Sequence, residues 1–140
     1  LRNFTLVIER KRYIIKSRGS HCYRKFNLEN KDILIDFITS KLERIPMYFS
    51  TKLLFDKYEK KFIELDIFDY TELHHFIKKN HEDFEVELFF DRSPHIKLKD
   101  IEFDYFVKKE FFKLNNFTKK KAAEKLSEKT GVKEFMFLIN

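Results

Sequence analysis

The stretch Ser50–Asn80, STKLLFDKYEKKFIELDIFDYTELHHFIKKN, constrains this chain more than any other. Leu54, Tyr58, Phe62 and Leu65 recur at helical spacing over 51–64, while Lys52, Lys57, Lys60 and Lys61 fall on the other side. Such a stripe buries only as a helix, and Ser50 suits its N-cap. A second helix is expected from Asp69 to Asn80. Glu72 follows Asp69 by three residues, an Asp version of the capping box in which each side chain satisfies a free amide at the helix start. Leu73, Phe76 and Ile77 are expected to face inward. Thr71, His74, His75, Lys78 and Lys79 are left facing outward or to the flank.

The flanking segments read as short elements. Phe4–Ile8 and Arg12–Lys16 are β-rich runs joined by ERKR, a hairpin or one long strand. Ser17–Asn30, with Gly19 and Ser20, reads as a loop, and Asn30 is placed to cap the next helix. That helix, 31–44, carries Leu34, Ile38, Leu42 and Ile45 in one stripe, widened by Ile35 and Phe37. Pro46 ends it, because proline lacks an N–H and restricts the residue before it. Met47–Phe49 is a short extended piece. Phe84–Phe90 alternates with period two, as a half-buried strand does. Asp91-Arg92-Ser93-Pro94 is a turn and His95–Lys99 alternates again, which makes a hairpin. Asp100 is a candidate cap for 101–114, with Phe103, Phe106, Val107, Phe111 and Leu114 inward. Asn115-Asn116 breaks that helix, Thr118 caps 119–129, and Gly131 fits a left-handed stop. The run 132–139 is compatible with helix or strand.

An internal repeat is also expected. Phe49-Ser50-Thr51-Lys52 parallels Phe117-Thr118-Lys119-Lys120, and Thr71–Ile77 parallels Lys133–Ile139. The order of hairpin followed by three helices then occurs twice. Within 31–99 the order is helix, short strand, helix, helix, hairpin, and here the sequence resembles the winged helix-turn-helix superfamily. The resemblance is one of element order. The connector IELDIFD is longer than the usual 3–4-residue turn and holds no glycine. On this basis the chain divides into a hairpin and loop (1–30), a winged-helix-like unit (31–99) and a second, partial helix-turn-helix-like unit (100–140). The fold class expected is α+β, mostly helical, with winged-helix-like units and β-hairpins.

The resemblance implies double-stranded DNA as partner and helix 69–80 as the recognition helix in the major groove. Thr71, His74, His75 and Lys78 would reach bases. Lys79 and the wing residues Arg92, His95, Lys97 and Lys99 would meet phosphates, which position the protein without reading sequence. Lys52 and Lys119–Lys121 would add backbone contacts. The function implied is that of a DNA-binding module of a bacterial-type transcriptional regulator or mobile-element protein. Glu72, Glu82, Asp83, Glu85 and Glu87 crowd the same face and would repel phosphate. They favour the alternative, a protein-interaction or scaffolding domain, with a protein partner or a second copy of the chain and no nucleic acid.

Composition sets outer bounds. The 140 residues carry 29 Lys and Arg against 23 Asp and Glu, a net charge of +6. That favours anionic partners, although a Lys-, Ile-, Asn- and Phe-rich chain, with 18 Phe, also follows from AT-rich codons. A single cysteine, Cys22, excludes an internal disulfide and suits a reducing cytoplasm. No apolar run approaches the ~20 residues a membrane span needs, and the first residues turn charged too soon for a signal peptide. The chain starts with Leu, as a piece of a longer protein would. No metal and no cofactor are expected: His21, Cys22, His74, His75, His81 and His95 show no HxxxH or CxxC spacing. Glu9-Arg10-Lys11 lacks the upstream Asp of a metal-dependent nuclease. Glu85 and Glu87, on one strand face, read as solvated acids. With no phosphate-cradling glycine loop and no nucleophile turn, the chain is not expected to be an enzyme.

Overall fold

The computed structural model describes residues 13–17, 22–26, 28–92 and 94–138, with side chains from Glu29 onward. It is an α+β structure, mostly helical, with a small antiparallel sheet. Strands β1 (Tyr13–Ser17) and β2 (Cys22–Phe26) form an antiparallel hairpin with Tyr13 opposite Phe26 and Ser17 opposite Cys22. The first strand of this hairpin matches the expected run 12–16. Its second strand falls inside the expected loop 17–30, and Phe4–Ile8 lies outside the described residues. A 3-10 turn, Leu28–Asn30, leads into helix α1 (Lys31–Leu42). Asn30 makes no side-chain cap there, because at φ −85 and ψ −7 it is already helical rather than extended.

After α1 come β3 (Tyr48–Ser50), α2 (Thr51–Lys57) and α3 (Glu59–Glu64). The Ser50 hydroxyl accepts from the Lys52 amide at 3.2 Å, the cap expected. The single helix expected over 51–64 is broken at Tyr58, which leaves the helical region at φ −128 and ψ 35. At the break its ring meets Phe37 of α1 edge-on at 5.7 Å, with the Lys41 ammonium 4.8 Å from the ring centre.

The connector to helix α4 (Tyr70–Lys79) is tightly built. Asp66 is left-handed at φ 72. The Asp66 amide bonds to the Ile63 carbonyl and the Ile67 amide to the Phe62 carbonyl, at 3.0 and 2.8 Å. That is the Schellman pattern, completed by packing of Phe62 and Ile67, both fully buried. An aspartate thus does the work that the missing glycine would have done.

The sheet that follows joins β3, β5 (His95–Lys97) and β4 (Phe89–Phe90), in that order, all antiparallel. Only two residues of the expected strand 84–90 pair. Phe84 and Leu88 are both buried while Glu85, Val86 and Glu87 between them are exposed, a spacing of four rather than two. The segment leaves α4 through a 3-10 turn, His81–Asp83, and reaches the sheet only at Phe89.

Helices α5 (Phe103–Lys113), α6 (Lys119–Thr130) and α7 (Phe135–Leu138) complete the described chain, α7 making the ambiguous last run helical. Glu102 rather than Asp100 precedes α5, and no side chain caps it. Thr118 does cap α6, accepting from Lys121 at 3.1 Å.

The sheet separates two cores. Phe49 and Ile96 face one side with Leu34, Ile38, Leu54, Phe62, Leu73 and Phe76 from α1–α4. Tyr48, the preceding residue of the same strand, faces the other, with Phe106, Ala123, Leu126, Val132 and Phe137 from α5–α7 and the α6–α7 turn. Strand alternation alone sends neighbouring residues to opposite layers.

Candidate nucleic-acid interface

The start of α4 is fixed by a variant of the expected capping box, in which the Glu72 carboxylate reaches the amide before the cap rather than that of Asp69. Asp69 accepts from the Glu72 amide at 2.8 Å, and the Glu72 carboxylate accepts from the Phe68 amide at 2.8 Å. Glu72 is buried in this role and so leaves the acidic group that crowds the face. Lys78 and Lys79 are exposed, while Thr71 and His75 are half-buried.

His74 departs from expectation: it is buried, with Nδ1 2.8 Å from Thr51 Oγ1 and the ring edge-on to Phe90 at 5.9 Å. Burial, with the nearby charges of Lys78 and His95, pushes its pKa down to about 4. It is a neutral pin between α4 and the start of α2 and is not available to read a base. β1 runs alongside α4, so the helix is also flanked by the N-terminal hairpin.

The wing is tied down as well. Its turn returns onto α2 through the Thr51 amide and the Pro94 carbonyl at 2.7 Å. The Arg92 guanidinium donates to Met136 Sδ of α7 at 3.1 Å, and Lys97 donates to the Ile101 carbonyl at 3.0 Å. His95 is half-buried beside Tyr48, Nδ1 to OH 3.5 Å, and burial followed by the Arg92 charge lowers its pKa despite Asp91. Burial, and then its hydrogen bond to the Asp91 carboxylate, push the Tyr48 phenol well above its usual range. Lys99 is exposed. Of the nine expected contact residues, Lys78, Lys79, Arg92 and Lys99 are thus exposed, and Arg92 is already engaged.

Charge is divided unevenly along the chain. Residues 31–98 hold 11 Lys and Arg against 14 Asp and Glu; residues 99–140 hold 10 against 7. Glu82, Asp83, Glu85 and Glu87 are all exposed beyond α4, and Asp83 takes Lys31 as partner at 3.2 Å.

The opposite balance holds where α5 turns into α6. Lys108, Lys109, Lys119, Lys120 and Lys121 are exposed. So are three rings: Tyr105 at 58%, Phe112 at 79% and Phe117 at 44%. Lys125 lies over the Phe117 ring, 4.6 Å from its centre. Glu110 is turned inward and holds Lys113 at 2.9 Å and Lys129 at 3.3 Å. Burial alone would raise its carboxyl, but the hydrogen bond from Lys113 and the charge of Lys129 outweigh it and hold the pKa below the usual range. Lys119–Lys121 stand out in the sequence, but the exposed rings do not. Phe103, Phe106 and Phe111 on the same helix do pack against the second core, and composition cannot separate the two sets.

Among the described residues no three His, Cys, Asp or Glu are grouped to hold a metal ion, and no helix is long and apolar enough to cross a membrane. Comparison with protein-family models, with curated proteins and with solved structures found no significant match.

Proposed function

We propose that the chain is a DNA-binding module built on a winged-helix-like unit, of the kind a bacterial-type transcriptional regulator or mobile-element protein carries. The observation that carries this reading is the arrangement of 31–98. A capped helix, α4, follows two shorter helices and precedes a hairpin whose second strand pairs with β3. That is the element order behind the resemblance, with the hairpin fixed to the helical core. Lys78, Lys79, Arg92 and Lys99 are exposed among the cations expected on helix 69–80 and the wing.

The test is fluorescence anisotropy of a labelled random-sequence duplex of about 20 base pairs, titrated at about 50 and 200 mM salt. Micromolar binding that weakens steeply with salt is expected. Absence of binding at the lower salt would overturn the reading.

A second reading, a protein-interaction module, is favoured by one specific observation. Phe68 and Tyr70 at the start of α4 are exposed at 51 and 36%, and beyond its other end Val86 is exposed at 42% among the exposed acids of 82–87. Exposed apolar side chains together with exposed acids fit a basic protein surface better than a phosphate backbone. Pull-down with the intact chain, and with Phe68→Ser and Val86→Ser, distinguishes it: a partner lost in both variants supports this second reading.

A further inference from the structure

We infer that the corner between α5 and α6 binds single-stranded nucleic acid. The inference deepens the nucleic-acid reading above but stands on different residues. Tyr105, Lys108, Lys109 and Phe112 are spaced i, i+3, i+4 and i+7, so they line one stripe of α5. The two rings lie roughly 10 Å apart along the helix axis, with the two ammonium groups between them. Phe117, in the corner, and Lys119 and Lys120, at the start of α6, are exposed as well. Lys108, Lys109, Lys119 and Lys120 are exposed and make no ion pair among the described residues.

Each ingredient alone is ordinary. An exposed phenylalanine is common, and lysines usually form a solvated face. The combination is specific. Phe112, at 79% exposed, buries almost nothing in this structure, so it does not contribute to the second core as Phe106 and Phe111 do. Rings and cations are mixed along one stripe of α5, and both recur in the corner and at the start of α6. A single strand offers a matching mixture of flat bases and charged phosphates, and base–aromatic stacking is sequence-tolerant. A duplex has its base faces already stacked and leaves these rings without a partner. A membrane-surface helix separates the two chemistries, apolar on one face and basic on the other, whereas this stripe mixes them. The acids of the region do not close the surface: Glu110 is turned inward, and Glu124 is paired with Lys121 at 3.5 Å. Asp104 and Glu128 are the remaining acids of 103–130, and both are exposed.

The experiment measures anisotropy of a labelled oligothymidine of about 15 nucleotides beside a duplex of about 20 base pairs, with the full chain. Phe112→Ala is expected to weaken single-strand binding about tenfold and to leave duplex binding within about twofold, and Phe112→Tyr to restore it. Changing Lys108, Lys109, Lys119 and Lys120 together to alanine is expected to weaken single-strand binding at least tenfold and to flatten its salt slope by roughly two to three. Circular dichroism and the urea midpoint should stay unchanged, since all five side chains are exposed. Single-strand binding unaltered in both variants overturns the inference. So does duplex binding that depends on Lys78 and Lys79 with no single-strand binding, an outcome that leaves the winged-helix reading standing. Binding of neither nucleic acid overturns both, and capture by anionic vesicles alone overturns this inference in favour of a lipid surface.

Discussion

The two layers on either side of the sheet are built to different standards. The layer of α1–α4 buries sixteen hydrophobic residues in one cluster, including Phe49, Phe62 and Phe76, with no exposed surface at all on those three. The layer of α5–α7 buries six, two of which, Tyr48 and Val132, come from outside its helices. The first also takes Phe49 and Ile96 from the sheet but is much the larger, and its residues 31–98 carry a net negative charge. The second is a satellite that borrows the back of the sheet, and it carries the lysines and the exposed rings. Small cores are marginal by themselves, so the second layer depends on its seam with the first. Gly131 lies at that seam. It is left-handed at φ 74, and a Cβ there would lie 2.5 Å from Leu53 Cβ and 3.1 Å from Ser50 Cβ.

The largest effects test whether the two layers are unequal. Phe49→Ala is expected to destabilise the whole chain by about 4 kcal/mol in urea denaturation, as deletion of a buried ring does. Phe106→Ala should lose about 3 kcal/mol, with amide exchange accelerated mainly over 103–138. Equal acceleration in both layers would break the comparison and make the molecule one cooperative unit.

At the seam, Gly131→Ala should cost about 2–3 kcal/mol, combining left-handed strain with the clash on Leu53. A neutral result would mean that α6 is not pressed against α2.

The pH response sharpens the comparison further, because each layer holds a buried group whose pKa is displaced, His74 in the first and Glu110 in the second. The pKa of His74, about 4 against an ordinary 6.5, means that folding favours its neutral form. Its contribution is complete above 6.5 and is lost as pH falls toward 4, about 2 kcal/mol of it by pH 5. His95, also lowered by burial, acts with the same sign. Glu110 in the second layer is held below 4.5, so its contribution is present above that value and fades only at lower pH. Urea midpoints from pH 8 to 5 should fall in the parent and fall less in His74→Gln. A parallel fall in both would remove His74 as the cause.

The smallest effects come from the caps. Asp69→Ala should cost about 1–2 kcal/mol and Thr118→Ala about 1 kcal/mol, read as shifts in urea midpoint. Asp69 is the larger because its box also holds the buried Glu72.

The sequence by itself determined the local chemistry. Ser50, Asp69 with Glu72, Thr118 and Gly131 end or begin helices as read, because a cap is a bond between residues two to four apart and needs nothing from the rest of the fold. The apolar stripes of α1, α4 and α5 were legible for the same reason. Where long-range packing chooses, the sequence was silent. β2, inside a stretch that reads as a loop, pairs with β1. Two-residue pairing at Phe89–Phe90 cut short a strand that alternation alone extended to Phe84. Asp66 took a glycine's conformation because Phe62 and Ile67 pack across it. At the candidate site the division is sharper. His74 reads as an outward polar residue until Thr51, 23 positions earlier, is brought to its ring. Phe112 lies outside the inward stripe read for 101–114, and only the structure shows how fully it is exposed. Polarity sets what a side chain prefers, but only the neighbours that tertiary structure brings decide whether it is covered.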